Sequence, residues 1–116
     1  MTATKKGDPI TLEFLIQAGA DINMKDNDGF SPLIWSINYS NLKSLNFLLS
    51  YEANVNDRTN SGMTALMWAA NFGNINMVKV LVNYNADLLA EDNNHRTALS
   101  LAQKKNHTQV TNYLEM

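Results

Sequence analysis

Thr64-Ala65-Leu66-Met67-Trp68-Ala69-Ala70-Asn71-Phe72-Gly73 reads as a short helix with both ends written into it. Thr64 is a hydroxyl residue able to cap the first turn. Leu66, Ala69 and Ala70 recur at the i, i+3, i+4 spacing of one helical face, and the small alanines let a neighbour approach closely. Gly73 supplies a left-handed residue to end the helix. Upstream, Thr59-Asn60-Ser61-Gly62 is a polar, turn-forming stretch. Downstream, Val78, Leu81 and Val82 keep core spacing for a second helix, and Ala86 to Leu88 leads to the next turn. A turn and two helices this short cannot bury their own apolar face, so the unit requires neighbours of the same kind.

The neighbours are present at an offset of 33. Leu33, Leu66 and Leu99 coincide, as do Leu15, Leu48, Leu81 and Leu114, Ala20, Ala53 and Ala86, Gly29 and Gly62, and Trp35 and Trp68. Residues 26–58 and 59–91 share 9 identities in 33 positions, where ordinary residue frequencies give roughly two by chance. Most other pairs are conservative, such as Ser31 with Thr64 and Tyr39 with Phe72. Ser31, Thr64 and Thr97 are the expected helix caps, and Pro32 follows its cap at the position where a missing N–H costs nothing.

A turn-helix-helix period of 33 residues resembles the ankyrin repeat. The resemblance rests on Thr64 to Ala70 followed by Gly73, and on Gly19-Ala20-Asp21-Ile22-Asn23 and Ala53-Asn54-Val55-Asn56 as segments that close a repeat. It spans Gly7 to Met116. The resemblance implies an all-α solenoid of stacked helix-turn-helix units with β-turn or hairpin tips. Residues 1–25 would be a partial first repeat, 26–58 and 59–91 full repeats, and 92–116 the C-terminal capping repeat.

Some positions depart from the family pattern. Where the family often has His, this chain has Ile34, Met67 and Ser100, so the Thr-to-His hydrogen bond usual there is expected to be absent. Glycines that end helices are replaced by Ser40 and Asn106 in one case, and by Glu52 and Asn85 in the other. Asparagine tolerates the left-handed conformation best among non-glycine residues, so Ser40 and Glu52 should make residues 26–58 the more strained full repeat.

The two ends differ. Gln103, Lys104, Lys105, Thr108 and Thr111 stand where Ala70, Asn71, Phe72, Ile75 and Val78 stand one repeat earlier, which gives the last repeat a polar outer face. At the other end, Leu12, Phe14, Leu15 and Ile16 have little chain before them to cover their outer face. This N-terminal face (Leu12, Leu15, Ile16) is expected to pack on another copy or to belong to a larger protein.

Composition excludes several classes of function. The chain has no cysteine, which rules out a disulfide scaffold, a thiolate metal site and a cysteine nucleophile. Its net charge of −2 lacks the footprint of a nucleic-acid binder. No apolar run reaches the length of a bilayer span, and the segment Met1 to Pro9 has no signal-like apolar stretch, so a cytoplasmic protein is expected. Asparagine is unusually frequent at 17 of 116 residues, while charged residues are only 17%, below the roughly 25% that is usual. Eleven of these asparagines fall in the predicted turns and six on helices, which points to repeat punctuation rather than low complexity.

No catalytic constellation appears. His95 and His107 are twelve residues apart and match no helical ligand pair, so no metal is expected even with Glu91 and Asp92 nearby. His95 instead takes the place of a turn glycine, and His107 fills a loop position where the family commonly has His. Asp26-Asn27-Asp28-Gly29 lacks the distal bidentate glutamate of a calcium loop and reads as a turn. No phosphate loop or nucleophile elbow is present, so the expectation is a non-enzyme without cofactors.

The resemblance implies instead a partner protein, bound along a concave face of turn tips and first helices. On this chain those positions are Asn27, Asp28, Phe30, Asn38 and Tyr39, then Arg58, Asn60, Ser61, Met63, Asn71 and Phe72, then Asn93, Asn94, Arg96, Lys104 and Lys105. Phe30, Tyr39, Met63 and Phe72 are of the type that anchors interfaces. Trp35 and Trp68 are expected to pack between neighbouring first helices. Residues 7–57 carry seven acids and two bases, a net of −5, whereas residues 93–116 carry three bases and one acid, a net of +2. Such a gradient would steer a partner into register. The alternative within binding is a dedicated inhibitor or immunity-type protein that blocks a co-expressed enzyme.

Overall fold

Six helices alternate with turns across residues 22–115, the part of the chain that this computed structural model describes. They are α1 (Pro32–Asn38), α2 (Leu42–Ser50), α3 (Ala65–Phe72), α4 (Ile75–Asn83), α5 (Ala98–Lys104) and α6 (Thr108–Glu115). The expected caps are in place. Ser31, Thr64 and Thr97 accept from the backbone N–H groups of Ile34, Met67 and Ser100. Ser100 also closes a capping box by accepting from the Thr97 N–H. The second helices use amides for the same purpose: Asn41 accepts from Ser44 and Asn74 from Met77. The six asparagines read as helical all lie within helices.

The first helices α1, α3 and α5 pack side by side, and the second helices α2, α4 and α6 form a layer behind them. Leu33, Ile37, Leu45, Leu48, Leu66, Ala69, Ala70, Val78, Leu81 and Val110 form one continuous buried core between the layers. The alanines of α3 are fully buried, which lets α1 and α5 approach it on both sides. In α6 only Val110 is buried, in keeping with a polar outer face. Among the described residues no helix is long and apolar enough to cross a membrane.

Each unit begins with a tip of the same form. Asp26, Thr59 and Asp92 donate their backbone N–H to the carbonyls of Phe30, Met63 and Arg96. Their side chains accept backbone N–H groups inside the same loop, Asp26 from Asp28 and Phe30, Thr59 from Met63, and Asp92 from Asn94 and Arg96. In the acidic turns one carboxylate oxygen is thus met by the loop's own backbone and the other by a side chain, Trp35 Nε1 at Asp26 and Arg96 Nε at Asp92. Successive tips are joined by an amide ladder: the Asn60 side chain donates to the Asn27 carbonyl at 2.8 Å, and the Asn93 side chain to the Asn60 carbonyl at 3.0 Å. The Asn60 and Asn93 backbone N–H groups reach the Asp28 and Ser61 carbonyls. Behind the tips, Asn54 and Asp87 donate their N–H to the side chains of Asn23 and Asn56. Four asparagine side chains, Asn23, Asn56, Asn60 and Asn93, thus serve as joints between units.

Non-glycine residues occupy the left-handed region at Ser40 (φ 53°), Glu52 (φ 67°), Asn85 (φ 68°), His95 (φ 62°) and Asn106 (φ 60°). Two of these, Ser40 and Glu52, lie in residues 26–58 and lack the local amide that makes the conformation tolerable. The same unit carries a second fault. Ser44 is fully buried in α2 and its hydroxyl has no hydrogen-bond partner among the described residues, whereas the positions 33 and 66 residues later hold the buried Met77 and Val110. Ser44→Ala is expected to raise stability by about 0.5–1 kcal/mol, because it removes an unmet buried hydroxyl and improves helix propensity. Thermal unfolding of the variant at or below the wild-type midpoint would show that the hydroxyl is in fact bonded.

The apolar N-terminal face of Leu12, Leu15 and Ile16, read as open, lies outside the described residues, as does most of the partial repeat 1–25.

Candidate functional site

The tips and the first helices lie on one side of the stack, and aromatic side chains run between them. Tyr39 contacts Trp35 at 5.6 Å between ring centroids, Trp35 contacts Phe30 at 4.9 Å, Phe30 contacts Trp68 at 5.6 Å, and Trp68 contacts Phe72 at 5.8 Å. The period explains this path. Phe30 sits on a tip, the tryptophans share the middle of the first helices, and Tyr39 and Phe72 share their C-terminal ends. Both ends of the run are open, with Tyr39 51% and Phe72 44% exposed. The tryptophans are half-buried and packed against their aromatic neighbours.

The other sequence-predicted positions divide by what their side chains already do. Met63 does not match its reading as an exposed anchor: it is 5% exposed and part of the core. It occupies the central tip, with a tip stacked on either side, so its side chain is covered from both directions. Its counterparts Phe30 and Arg96, at the same repeat position, are half-buried. Asn60 and Asn93 are exposed at the tips, but their amide N–H groups are committed to the neighbouring unit, and the carbonyls of Asn27 and Asp28 receive such bonds. Arg58 is exposed and donates to the Glu91 carbonyl at 2.7 Å, again one unit along. Asn38 is half-buried and bonds the Ile34 carbonyl of its own helix. Ser61, which shares a hydrogen bond with Thr59, and Asn94 are exposed.

Beyond the aromatic run the surface becomes basic. A cavity of about 350 Å³ opens between α3 and α5, with Ser61, Met63, Trp68, Asn71, Arg96, Leu101, Lys104 and Lys105 around it. Asn71 is fixed there in part by His107, whose Nε2 lies 2.9 Å from the Asn71 carbonyl at the end of α3. Gly73 has φ 74° and lies against the His107 ring so closely that a Cβ would overlap it. Both histidines thus have structural partners, since His95 Nδ1 lies 3.3 Å from Glu91 Oε1. No group of three or more His, Asp or Glu among the described residues is placed to hold a metal ion.

Arg96 is positioned by Asp92, whose side chain is fully buried and accepts from Arg96 Nε at 2.8 Å. Burial alone would raise the Asp92 carboxyl, but the backbone N–H of Arg96, its guanidinium and the N–H of Asn94 outweigh it and hold the group below its ordinary value.

From sequence, Trp68 is expected to pack between first helices, and neither it nor Leu101 is expected on this surface. Aligning the units contains part of the missing signal. Trp35 donates from Nε1 to Asp26 at 3.0 Å, but Thr59 replaces that aspartate for Trp68, whose buried indole N–H has no acceptor among the described residues.

A family model described as ankyrin repeats (3 copies) matches residues 1–92 and 57–115. Over 31 residues the chain is 61% identical to the ADP-ribosylation factor GTPase-activating protein AGD2 of Arabidopsis thaliana. That stretch is 27% of this chain and 4% of the Arabidopsis protein, so the chain spans a small fraction of that relative's length.

Proposed function

Since the chain belongs to the ankyrin-repeat family, whose members generally mediate protein–protein interaction, we propose that it is a non-catalytic module that binds a partner protein along its tips and first helices. The observation that carries this reading is the aromatic run whose two ends, Tyr39 and Phe72, lie open on that surface. Exposed aromatic side chains beside half-buried ones provide large, stiff contact area, and aromatics are enriched among the residues that dominate binding energy. Phe30, Tyr39 and Phe72 are the proposed anchors. Asn38, Asn71, Asn94, Ser61 and the basic residues Arg96, Lys104 and Lys105 surround them, while Asn27, Asp28, Arg58, Asn60 and Asn93 border the surface and hold the tips together. Met63 supports the anchors from beneath. Residues 26–58, 59–91 and 92–116 are the repeat units of this reading.

Affinity capture from the native cell, run in parallel with the wild type and with Tyr39→Ala/Phe72→Ala, tests it. The double variant is expected to keep its helical circular dichroism, because both side chains are about half exposed, and to bind the captured partner more weakly by roughly tenfold or more. An identical set of proteins held equally well by both forms would remove these residues from the interface. If the main captured protein is an enzyme that loses activity on mixing, the module is an inhibitor of that enzyme.

A further inference from the structure

Resting on this groove reading, we propose that the cavity at its basic end receives a carboxylate side chain of the partner, so that the bound segment carries Asp or Glu beside an aromatic or aliphatic residue. The cavity of about 350 Å³ is large enough for a side chain, being within the range of ligand pockets. Three cations border it and no acid does. Lys104 and Lys105 have no acidic partner among the described residues. Arg96 is held through Nε by the buried Asp92, an arrangement that fixes the guanidinium plane and leaves its Nη donors for a second carboxylate.

Comparison of the units supports the same ligand. In the preceding unit the indole N–H of Trp35 is met by the Asp26 carboxylate. At Trp68, beside the cavity, the corresponding residue is Thr59, whose hydroxyl is engaged with Ser61 and the Met63 N–H. The chain therefore supplies a carboxylate at one tryptophan and none at the next, and there the surrounding charge is positive. The Trp68 N–H is itself buried, so a partner's carboxylate meets the cations Arg96, Lys104 and Lys105 around the cavity rather than the indole, and the aromatic run next to it takes the apolar neighbour.

Selection of random displayed heptapeptides on the immobilised full chain tests the inference, with two variants in parallel. Lys104→Gln/Lys105→Gln removes two exposed cations while keeping Arg96, whose loss would strand Asp92. Lys79→Gln removes a lysine of the second-helix layer, which lies over Tyr113 at 5.8 Å. The full chain and Lys79→Gln are expected to enrich Asp and Glu several-fold over the library, next to an aromatic or aliphatic residue. The double variant should lose the acidic enrichment, keep the apolar one, and bind a selected peptide about tenfold more weakly. Acid-free peptides from the full chain, or acidic enrichment that survives the double substitution, would overturn the carboxylate inference. If those peptides still depend on Tyr39 and Phe72, the groove reading stands without it. Peptides insensitive both to Lys104→Gln/Lys105→Gln and to Tyr39→Ala/Phe72→Ala, or none selected, would remove both.

Discussion

Asp92→Ala is expected to lower the unfolding free energy by about 2–4 kcal/mol. The Asp92 side chain is fully buried and accepts the N–H groups of Asn94 and Arg96, each at 2.9 Å, together with Arg96 Nε at 2.8 Å. Alanine would leave two backbone donors of the tip unmet and the guanidinium without its counter-charge. Arg96 is 40% exposed, so water offsets part of the lost ion pair, and most of the cost falls on the backbone donors. At a few degrees per kcal/mol, the midpoint of thermal unfolding should fall by roughly 10 °C. Asp92→Asn keeps an acceptor oxygen and should lose about half as much. Urea unfolding of Asp92→Ala within 0.5 kcal/mol of wild type, on the order of an ordinary surface substitution, would show that the tip holds itself by other means.

The same carboxylate makes a pH prediction with a definite sign. Asp92 is held below its ordinary value of 3.8, so it is the ionised form that the folded state prefers. Its contribution is complete above that ordinary value and is lost as pH falls through the depressed folded value. Stability of the wild type should therefore decline below about pH 4, and Asp92→Asn should decline less across that window.

Gly62→Ala carries a comparable effect for a different reason. Gly62 has φ 83°, where a Cβ costs about 1–2 kcal/mol. That Cβ would also stand 2.7 Å from Asn93 Oδ1 and 2.9 Å from the Asn93 backbone nitrogen. The backbone nitrogen cannot move aside without parting the last two tips, because it bonds the Ser61 carbonyl. A loss of about 2–4 kcal/mol is expected in total, with faster hydrogen exchange at the Asn93 amide as the local signature. A variant as stable as wild type, with that amide still protected, would mean the tip relaxes without opening the joint.

What the sequence made legible is what one unit decides for itself. The helix caps Ser31, Thr64 and Thr97, the stop at Gly73 and the division of asparagines between turns and helices depend on residues within a few positions, and a period of 33 repeats the evidence. Burial at the groove depends on two flanking units at once. Met63 reads like Phe30 by composition, yet it is covered because a tip stacks on each side. Asn60 and Asn93 likewise read as free amides, because their acceptors lie 33 residues away in the chain. The basic cavity was half visible, in Arg96, Lys104 and Lys105, but Trp68 joins it only through the packing of α3 on α5.

The amide ladder has a consequence for how this surface can change. Its two struts are neutral dipoles meeting at 2.8 and 3.0 Å, so added salt, which screens exposed charges beyond about 10 Å at 0.1 M, leaves them nearly untouched. Arg58 apart, which reaches the Glu91 carbonyl of the next unit, cohesion of the stack and charge of the proposed binding surface are thus separate variables. Lys104 and Lys105 can be lost or reversed with little effect on how one unit grips the next, and on the proposed reading a change of partner need not come at the expense of the scaffold that presents it.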